Sequence, residues 1–223
     1  MAAHFVVMPT AAAAESTRRL LLLVLPLLIW QLINGVVSCT LWAMGPTVWL
    51  GADVLGFVLL PVGLMLLGWR RGWITPASLG LRWNGLRAID PLLLLVFVAI
   101  VDRLYKGWAW QLGLPSVRLV ADCNPFPDAP LALLLYGAIS AGVIEELVYR
   151  GLFWRLCARL RHADLLYLGI GPLLFASVHW EQGLPGLLRS WLFGLLFAAL
   201  YRWRAQLWPL IAAHILIDVA DWW

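Results

Sequence analysis

Long apolar runs are the feature that most limits the folds open to this chain. Segments of about 20 apolar residues, enough to cross the hydrocarbon core of a bilayer as a helix, recur along most of the sequence. In lipid, a spanning segment must satisfy its own backbone N–H and C=O groups, and helices of this length do so internally. Hydrophobic residues make up 63% of the chain and charged residues only 13%, which excludes an ordinary soluble domain. The sequence therefore predicts an all-α, polytopic transmembrane helical bundle.

Seven segments fit this pattern, and their boundaries are approximate. They are 20–43, 48–69, 88–112, 131–157, 164–181, 186–203 and 206–222. We divide the chain into three parts on this basis. Residues 1–19 are expected to form a flexible N-terminal tail, residues 20–129 the N-terminal transmembrane helices and a Pro-rich loop, and residues 130–223 the transmembrane core with the polar residues described below.

The basic residues lie in alternate loops and so predict an orientation. Arginines precede the first segment and follow the second, fourth and sixth, as in Arg18, Arg71, Arg161 and Arg204. Positive loops face the cytoplasm, so the N-terminus is predicted to be cytoplasmic. Because the net charge of +4 resides in these short loops, it does not indicate nucleic-acid binding. The three cysteines are widely spaced without a CxxC pattern, which favours neither a disulfide framework nor a thiolate metal site.

Ionisable side chains inside the apolar segments indicate a functional site. Charges at membrane depth are costly unless they pair or face a polar cavity. Residues four apart share a helix face, so Glu146 should face Arg150 and His214 should face Asp218. Glu145 points about 100° away from Glu146, because a helix has ~3.6 residues per turn. One glutamate can therefore pair with the arginine while the other faces a different neighbour.

Taken singly, each of these residues has an ordinary structural explanation. A buried ion pair, an interfacial His179 and an oriented His214 all occur in helical bundles without catalytic function. The sequence has only four histidines, and two of them lie in apolar segments. The adjacent glutamates also lie within an apolar segment. The set as a whole favours function over structure.

Three motifs in this region resemble the CPBP family, the CAAX protease and bacteriocin-processing (Abi) intramembrane glutamic endopeptidases. They are Glu-Glu-x-x-x-Arg from Glu145 to Arg150, Phe-x-x-x-His from Phe175 to His179, and His-x-x-x-Asn/Asp from His214 to Asp218. The resemblance covers about residues 130–220. It implies an intramembrane endopeptidase in the plasma membrane of a bacterial or archaeal cell, acting on a membrane-anchored protein or peptide in CAAX-type processing or related maturation and sorting.

The resemblance also implies roles for the site residues. Glu145 would be the general base for a water shared with His179, Glu146 would hold Arg150, and His214 with residue 218 would donate hydrogen bonds to the developing oxyanion. Many members have Asn where this chain has Asp218, and an ionised carboxylate cannot donate. Either Asp218 is protonated, or it accepts from His214 and leaves His214 as the sole donor.

Two other functions remain open at this point. Glu145, His179 and His214 could form a His₂Glu zinc site of a membrane metallopeptidase, although the HExxH motif is absent. A non-enzymatic immunity or transport protein could use the same polar residues to bind a partner or line a path. The preferred hypothesis requires no cofactor and no metal, and its expected partners are the membrane-associated substrate and the lipid bilayer. No residue indicates which substrate is cleaved or how many copies of the chain assemble.

Overall fold

The chain folds into long helices joined by short turns. The computed structural model describes residues 11–82, 89–113 and 130–222, and these ranges contain helices and no strand. The helices are α1 (Ala11–Ala43), α2 (Pro46–Arg70), α3 (Ile89–Gln111), α4 (Leu131–Cys157), α5 (Ala163–Ser177), α6 (Gly183–Arg204) and α7 (Trp208–Trp222). The predicted all-α fold is confirmed.

The helices match the predicted segments with one clear difference at the N-terminus. Helix α1 begins at Ala11, so residues 11–19, which we expected to lie in a flexible tail, form its first turns. Ala11 to Ala14 favour this extension because alanine has the highest intrinsic helix propensity. Residues 1–10 lie outside the described part of the chain, as does most of the Pro-rich loop after α3.

Within the described residues, four helical stretches are long and apolar enough to cross a membrane. They are Glu15–Asn34, Pro46–Arg70, Leu131–Cys157 and Gly183–Arg204. Helix α3 also has sufficient length, but it carries Asp102, Arg103 and Lys106 in its second half. The apolar stretches Ala163–Ser177 and Trp208–Ala220 are shorter. The chain is an integral membrane protein, and the count of seven spans stays a prediction.

Alternate turns meet at the same end of the bundle. Leu207, before α7, donates its backbone N–H to the carbonyl of Gly80, after α2, at 3.0 Å. At the same end Arg202 of α6 binds Asp164 of α5 at 2.6 Å. The arginine-rich turns after α2, α4 and α6 therefore lie side by side, as the alternation of charge predicted.

The C-terminal helices form the most closely packed part of the bundle. Helix α5 packs along α6, and α7 packs between α3 and α4. Helix α1 contributes Leu20, Val24 and Leu27, each no more than 1% exposed, to the same hydrophobic core. This packing brings α4, α5 and α7, which carry the polar motifs, into contact around one centre.

Candidate active site

The centre of the site is a π-helical turn in α4. The turn runs from Glu146 to Leu152, directly after Glu145, and all seven of its residues are buried. Insertions of this kind in an α-helix are rare and recur at functional sites. The wider turn changes the angles at which the side chains of Glu146 and Arg150 project from the helix, directly after Glu145.

Glu146 lies at the middle of a buried polar cluster. Its Oε1 is 3.1 Å from Nη1 of Arg150 and accepts a hydrogen bond from Nδ1 of His214 at 2.8 Å. The residue is 0% exposed. The predicted pairing of Glu146 with Arg150 is confirmed, whereas its bond to His214 in α7 was not anticipated. Glu146 thus joins two of the three motif helices.

Aromatic rings enclose the Arg150 guanidinium. Its Cζ lies 4.3 Å from the ring centre of Phe175 and 5.4 Å from that of Phe197, and the residue is 1% exposed. A cation over an aromatic face gains electrostatic attraction that grows when both groups are desolvated. The rings and Glu146 together compensate for part of the cost of burying this charge.

Glu145 has different surroundings from its neighbour. Its side chain keeps 10% of its surface exposed, and its Oε2 lies 3.8 Å from Nε2 of His214. Oδ2 of Asp218, whose side chain is 16% exposed, lies 3.6 Å from the same nitrogen. These separations are ion-pair distances and exceed those of a hydrogen bond. Glu145 and His214 are thus buried but not completely enclosed, and Asp218, the most exposed of the three, lies beside them next to the fully buried Glu146–Arg150 pair.

His179 follows the end of α5 and is half-buried. Its Nδ1 lies 2.9 Å from the carbonyl oxygen of Phe175. A carbonyl only accepts, so Nδ1 carries the hydrogen, and in a neutral ring Nε2 keeps its lone pair. The site thus includes one imidazole whose outer nitrogen is able to accept a hydrogen bond from water.

Phe175 connects the two histidines, a role that its motif did not predict. Its ring centre lies 5.0 Å from that of His179 and 6.1 Å from that of His214. Tyr149 meets it edge-on at 5.4 Å. The spacing Phe-x-x-x-His was the available signal for this role. Phe197 was missed altogether, since it belongs to none of the three motifs.

Two glycines allow the motif helices to approach closely. A Cβ on Gly142 of α4 would lie 2.6 Å from Cγ1 and 3.1 Å from the backbone nitrogen of Ile215 in α7. A Cβ on Gly194 of α6 would lie 3.1 Å from Phe175. A Cβ on Gly142 would require Ile215 to move, and one on Gly194 would leave a tight contact with Phe175, so both glycines allow the close approach that brings His214 and Phe175 to α4.

The alternative zinc site is not supported by the geometry of the described residues. Within the ranges 11–82, 89–113 and 130–222, no group of three His, Cys, Asp or Glu side chains has a metal-binding arrangement. The candidate ligands Glu145, His179 and His214 therefore do not form such a group. His214 instead directs Nδ1 to Glu146 and Nε2 towards Glu145 and Asp218.

Comparison with known proteins finds a family match over the C-terminal core. Residues 127–220 match the model of the Rce1-like family, described as type II CAAX prenyl endopeptidase Rce1-like. The matched segment contains all six candidate residues from Glu145 to Asp218. No curated protein and no solved structure gave a significant match. The family match confirms the resemblance that the three motifs predicted.

Proposed function

We propose that this protein is an intramembrane endopeptidase that hydrolyses a peptide bond of a membrane-anchored protein or peptide with water activated by Glu145. The observation that carries the proposal is the contrast between adjacent glutamates. Glu146 is 0% exposed and bound to Arg150 and His214, whereas the Glu145 side chain keeps 10% of its surface exposed and its Oε2 makes no hydrogen bond within the described residues. Because Glu145 is the one of the two with exposed side-chain surface, we assign it as the group that takes a proton from water. The family match supports a protease of this class.

In the proposed reaction, Glu145 and His179 position the attacking water. The Glu145 carboxylate accepts one water proton as the oxygen attacks the scissile carbonyl carbon, and Nε2 of His179 accepts a hydrogen bond from the same water. The protonated Glu145 then donates its proton to the leaving amine when the tetrahedral intermediate breaks down. The products are a new carboxylate and a new amine, with no covalent enzyme intermediate.

His214 would stabilise the oxyanion of the intermediate. With Nδ1 donating to Glu146, Nε2 carries a hydrogen only when the ring is an imidazolium. The carboxylates of Glu145 and Asp218 near Nε2 are the natural counter-charges for that form. This arrangement favours the alternative in which Asp218 accepts from His214 and His214 is the oxyanion donor.

Glu146 and Arg150 would act by positioning. Arg150 neutralises Glu146 and is fixed between Phe175 and Phe197, while Glu146 fixes the His214 ring. Preorganised donors stabilise a transition state without a reorganisation cost during the reaction. The pair thus supports catalysis while its members stay out of contact with substrate.

The proposal is tested by comparing the termini of membrane proteins in cells. Three strains are compared, with the parent protein, with Glu145→Gln at the same abundance, and without the gene. We expect one or more new N- or C-termini that occur only with the parent protein. Identical termini in all three strains would contradict an endopeptidase and favour the non-enzymatic immunity or transport alternative.

Chelation separates the glutamate mechanism from the zinc alternative. Purified protein is dialysed against a strong chelator, its metal content is measured by elemental analysis, and turnover of the substrate identified above is followed. Metal-free protein with full turnover is expected. Loss of turnover that zinc restores would replace the glutamate mechanism with a metal-dependent one.

A further inference from the structure

A cavity of about 330 Å³ lies at the arginine-rich end of the bundle, between the turn after α2 and the C-terminal ends of α4 and α6. None of the residues that line it belongs to the candidate active site. Its lining includes the hydroxyl residues Thr75 and Ser78, the rings of Trp154 and Tyr201, and the cations Arg82 and Arg155. The proposed peptidase reaction does not use this cavity.

The charged side chains that line the cavity are all positive. Arg82 and Arg155 are its charged lining residues, and no Asp or Glu lines it. Nε of Arg155 is buried and makes no hydrogen bond within the described part of the chain. The carboxylate of Asp164, at the same end of the bundle, is bound to Arg202 at 2.6 Å. Two guanidinium groups that share a cavity without a carboxylate in its lining favour a bound anion.

The wall of the cavity is fixed by local hydrogen bonds. Thr75 and Ser78 cap each other, with side chain to backbone distances of 2.9 and 3.1 Å. Nε of Arg82 donates to the carbonyl of Ala77 at 2.9 Å, which holds this side chain against the turn. Gly80 has a φ of +81° and would place a Cβ 2.8 Å from Tyr201, so only glycine fits there. The site is therefore formed before a ligand arrives.

We propose that this cavity binds a phosphate group between Arg82 and Arg155, with the Thr75 hydroxyl as a further donor, since the Ser78 hydroxyl already donates to the Thr75 carbonyl at 2.8 Å. Arginine is favoured for phosphate because its planar fork offers paired N–H donors. The volume lies at the lower end of small-molecule sites, about 300–1,000 Å³, and suits a headgroup better than a whole lipid. Trp154 and Tyr201 are residue types that settle at the interface of a bilayer. Basic pockets between transmembrane helices bind anionic lipid headgroups, and a soluble phosphate has the same chemistry.

Thermal unfolding of the purified full-length chain tests the site. The parent protein and the Arg82→Ala, Arg155→Ala and Arg161→Ala variants are compared in neutral detergent micelles. Each protein is unfolded in three conditions, with added phosphatidylglycerol, with added phosphatidylcholine and with inorganic phosphate. A chloride solution of the same ionic strength is the control for inorganic phosphate. Arg161→Ala is the matched control, because Arg161 is an exposed arginine at the same end of the bundle and does not line the cavity.

Phosphatidylglycerol should raise the unfolding midpoint of the parent and of Arg161→Ala in a saturable way, and phosphatidylcholine should not. In Arg82→Ala and Arg155→Ala the apparent Kd should rise about tenfold or more, since each loses a charge-assisted contact. If only inorganic phosphate raises the unfolding midpoint, and this rise is lost in both Arg82→Ala and Arg155→Ala, the site binds a soluble phosphate. Equal shifts in all three variants, or no shift in the parent with either ligand, would overturn the proposal. If Arg155→Ala does not fold, the exposed Arg82 decides the outcome.

Discussion

Glu145 and Glu146 are neighbours in sequence, yet their carboxylates lie in different surroundings. The rotation of about 100° between adjacent helical residues was enough to predict that one of them pairs with Arg150, although both lie beside the His214 ring, Glu146 at Nδ1 and Glu145 at Nε2. It did not predict that Glu146 binds His214, because that bond depends on how α4 packs against α7. The aromatic enclosure of Arg150 was not predictable for the same reason, since Phe197 approaches from α6.

At the residue scale, His214 and Asp218 should respond differently to substitution. His214→Ala should reduce turnover at least about a hundredfold, the usual scale for loss of one oxyanion donor. Asp218→Asn should reduce turnover much less, because its amide oxygen can still accept from His214 and Glu145 remains as a counter-charge of the imidazolium. Turnover of purified variants on the substrate identified from membrane termini checks both. An inactive Asp218→Asn beside a tolerated His214→Ala would show that the carboxylate itself is required.

The buried ion pair leads to a stability prediction at the same scale. Arg150→Ala leaves Glu146 buried without its cation, and loss of one member of such a pair costs about 3–5 kcal/mol. Equilibrium unfolding in detergent measures this loss. Arg159→Ala is the control, because Arg159 is an exposed arginine beyond the end of the same helix. Equal stability of the two variants would mean that the Glu146–Arg150 pair is not buried in the membrane-embedded protein.

At the element scale, the apolar runs predicted each helix to within a few residues, apart from the start of α1. Hydrophobic length specifies a spanning helix almost by itself, because lipid leaves the backbone few alternatives. The π-helical turn from Glu146 to Leu152 has no comparable signal in the sequence. Its residues, Glu146 and Arg150 included, are equally compatible with an ordinary α-helix, and the turn is recognisable only from the backbone hydrogen bonds of the folded chain.

Substitution of Gly142 by alanine, which adds a single methyl group, tests the contact between α4 and α7. Gly142→Ala places a Cβ against the side chain and backbone of Ile215 and should push α7 away, so that His214 shifts from Glu146. We expect turnover to fall at least about tenfold while helix content stays unchanged by circular dichroism. Gly63→Ala is the control, because a Cβ on Gly63 would have no neighbour within 4 Å. Full activity of Gly142→Ala would indicate a looser helix contact.

At the scale of the whole molecule, the arginine-rich turns collect at one end of the bundle and predict its orientation. A cysteine that replaces Arg161 should be protected from an impermeant thiol reagent in intact cells, and one that replaces Gln182 should react. Both are tested in a protein whose native cysteines have been replaced. The opposite labelling pattern would invert the bundle and place the N-terminus outside the cell.

The central claim is that Glu145 activates the water that cleaves the substrate. The most direct measurement is turnover by purified Glu145→Gln protein on the substrate identified from membrane termini, beside the parent protein. Gln keeps the size and hydrogen-bonding capacity of the side chain and removes the base, so unfolding should be unchanged while turnover falls at least about a hundredfold. A folded Glu145→Gln protein with the parent's turnover would contradict the mechanism.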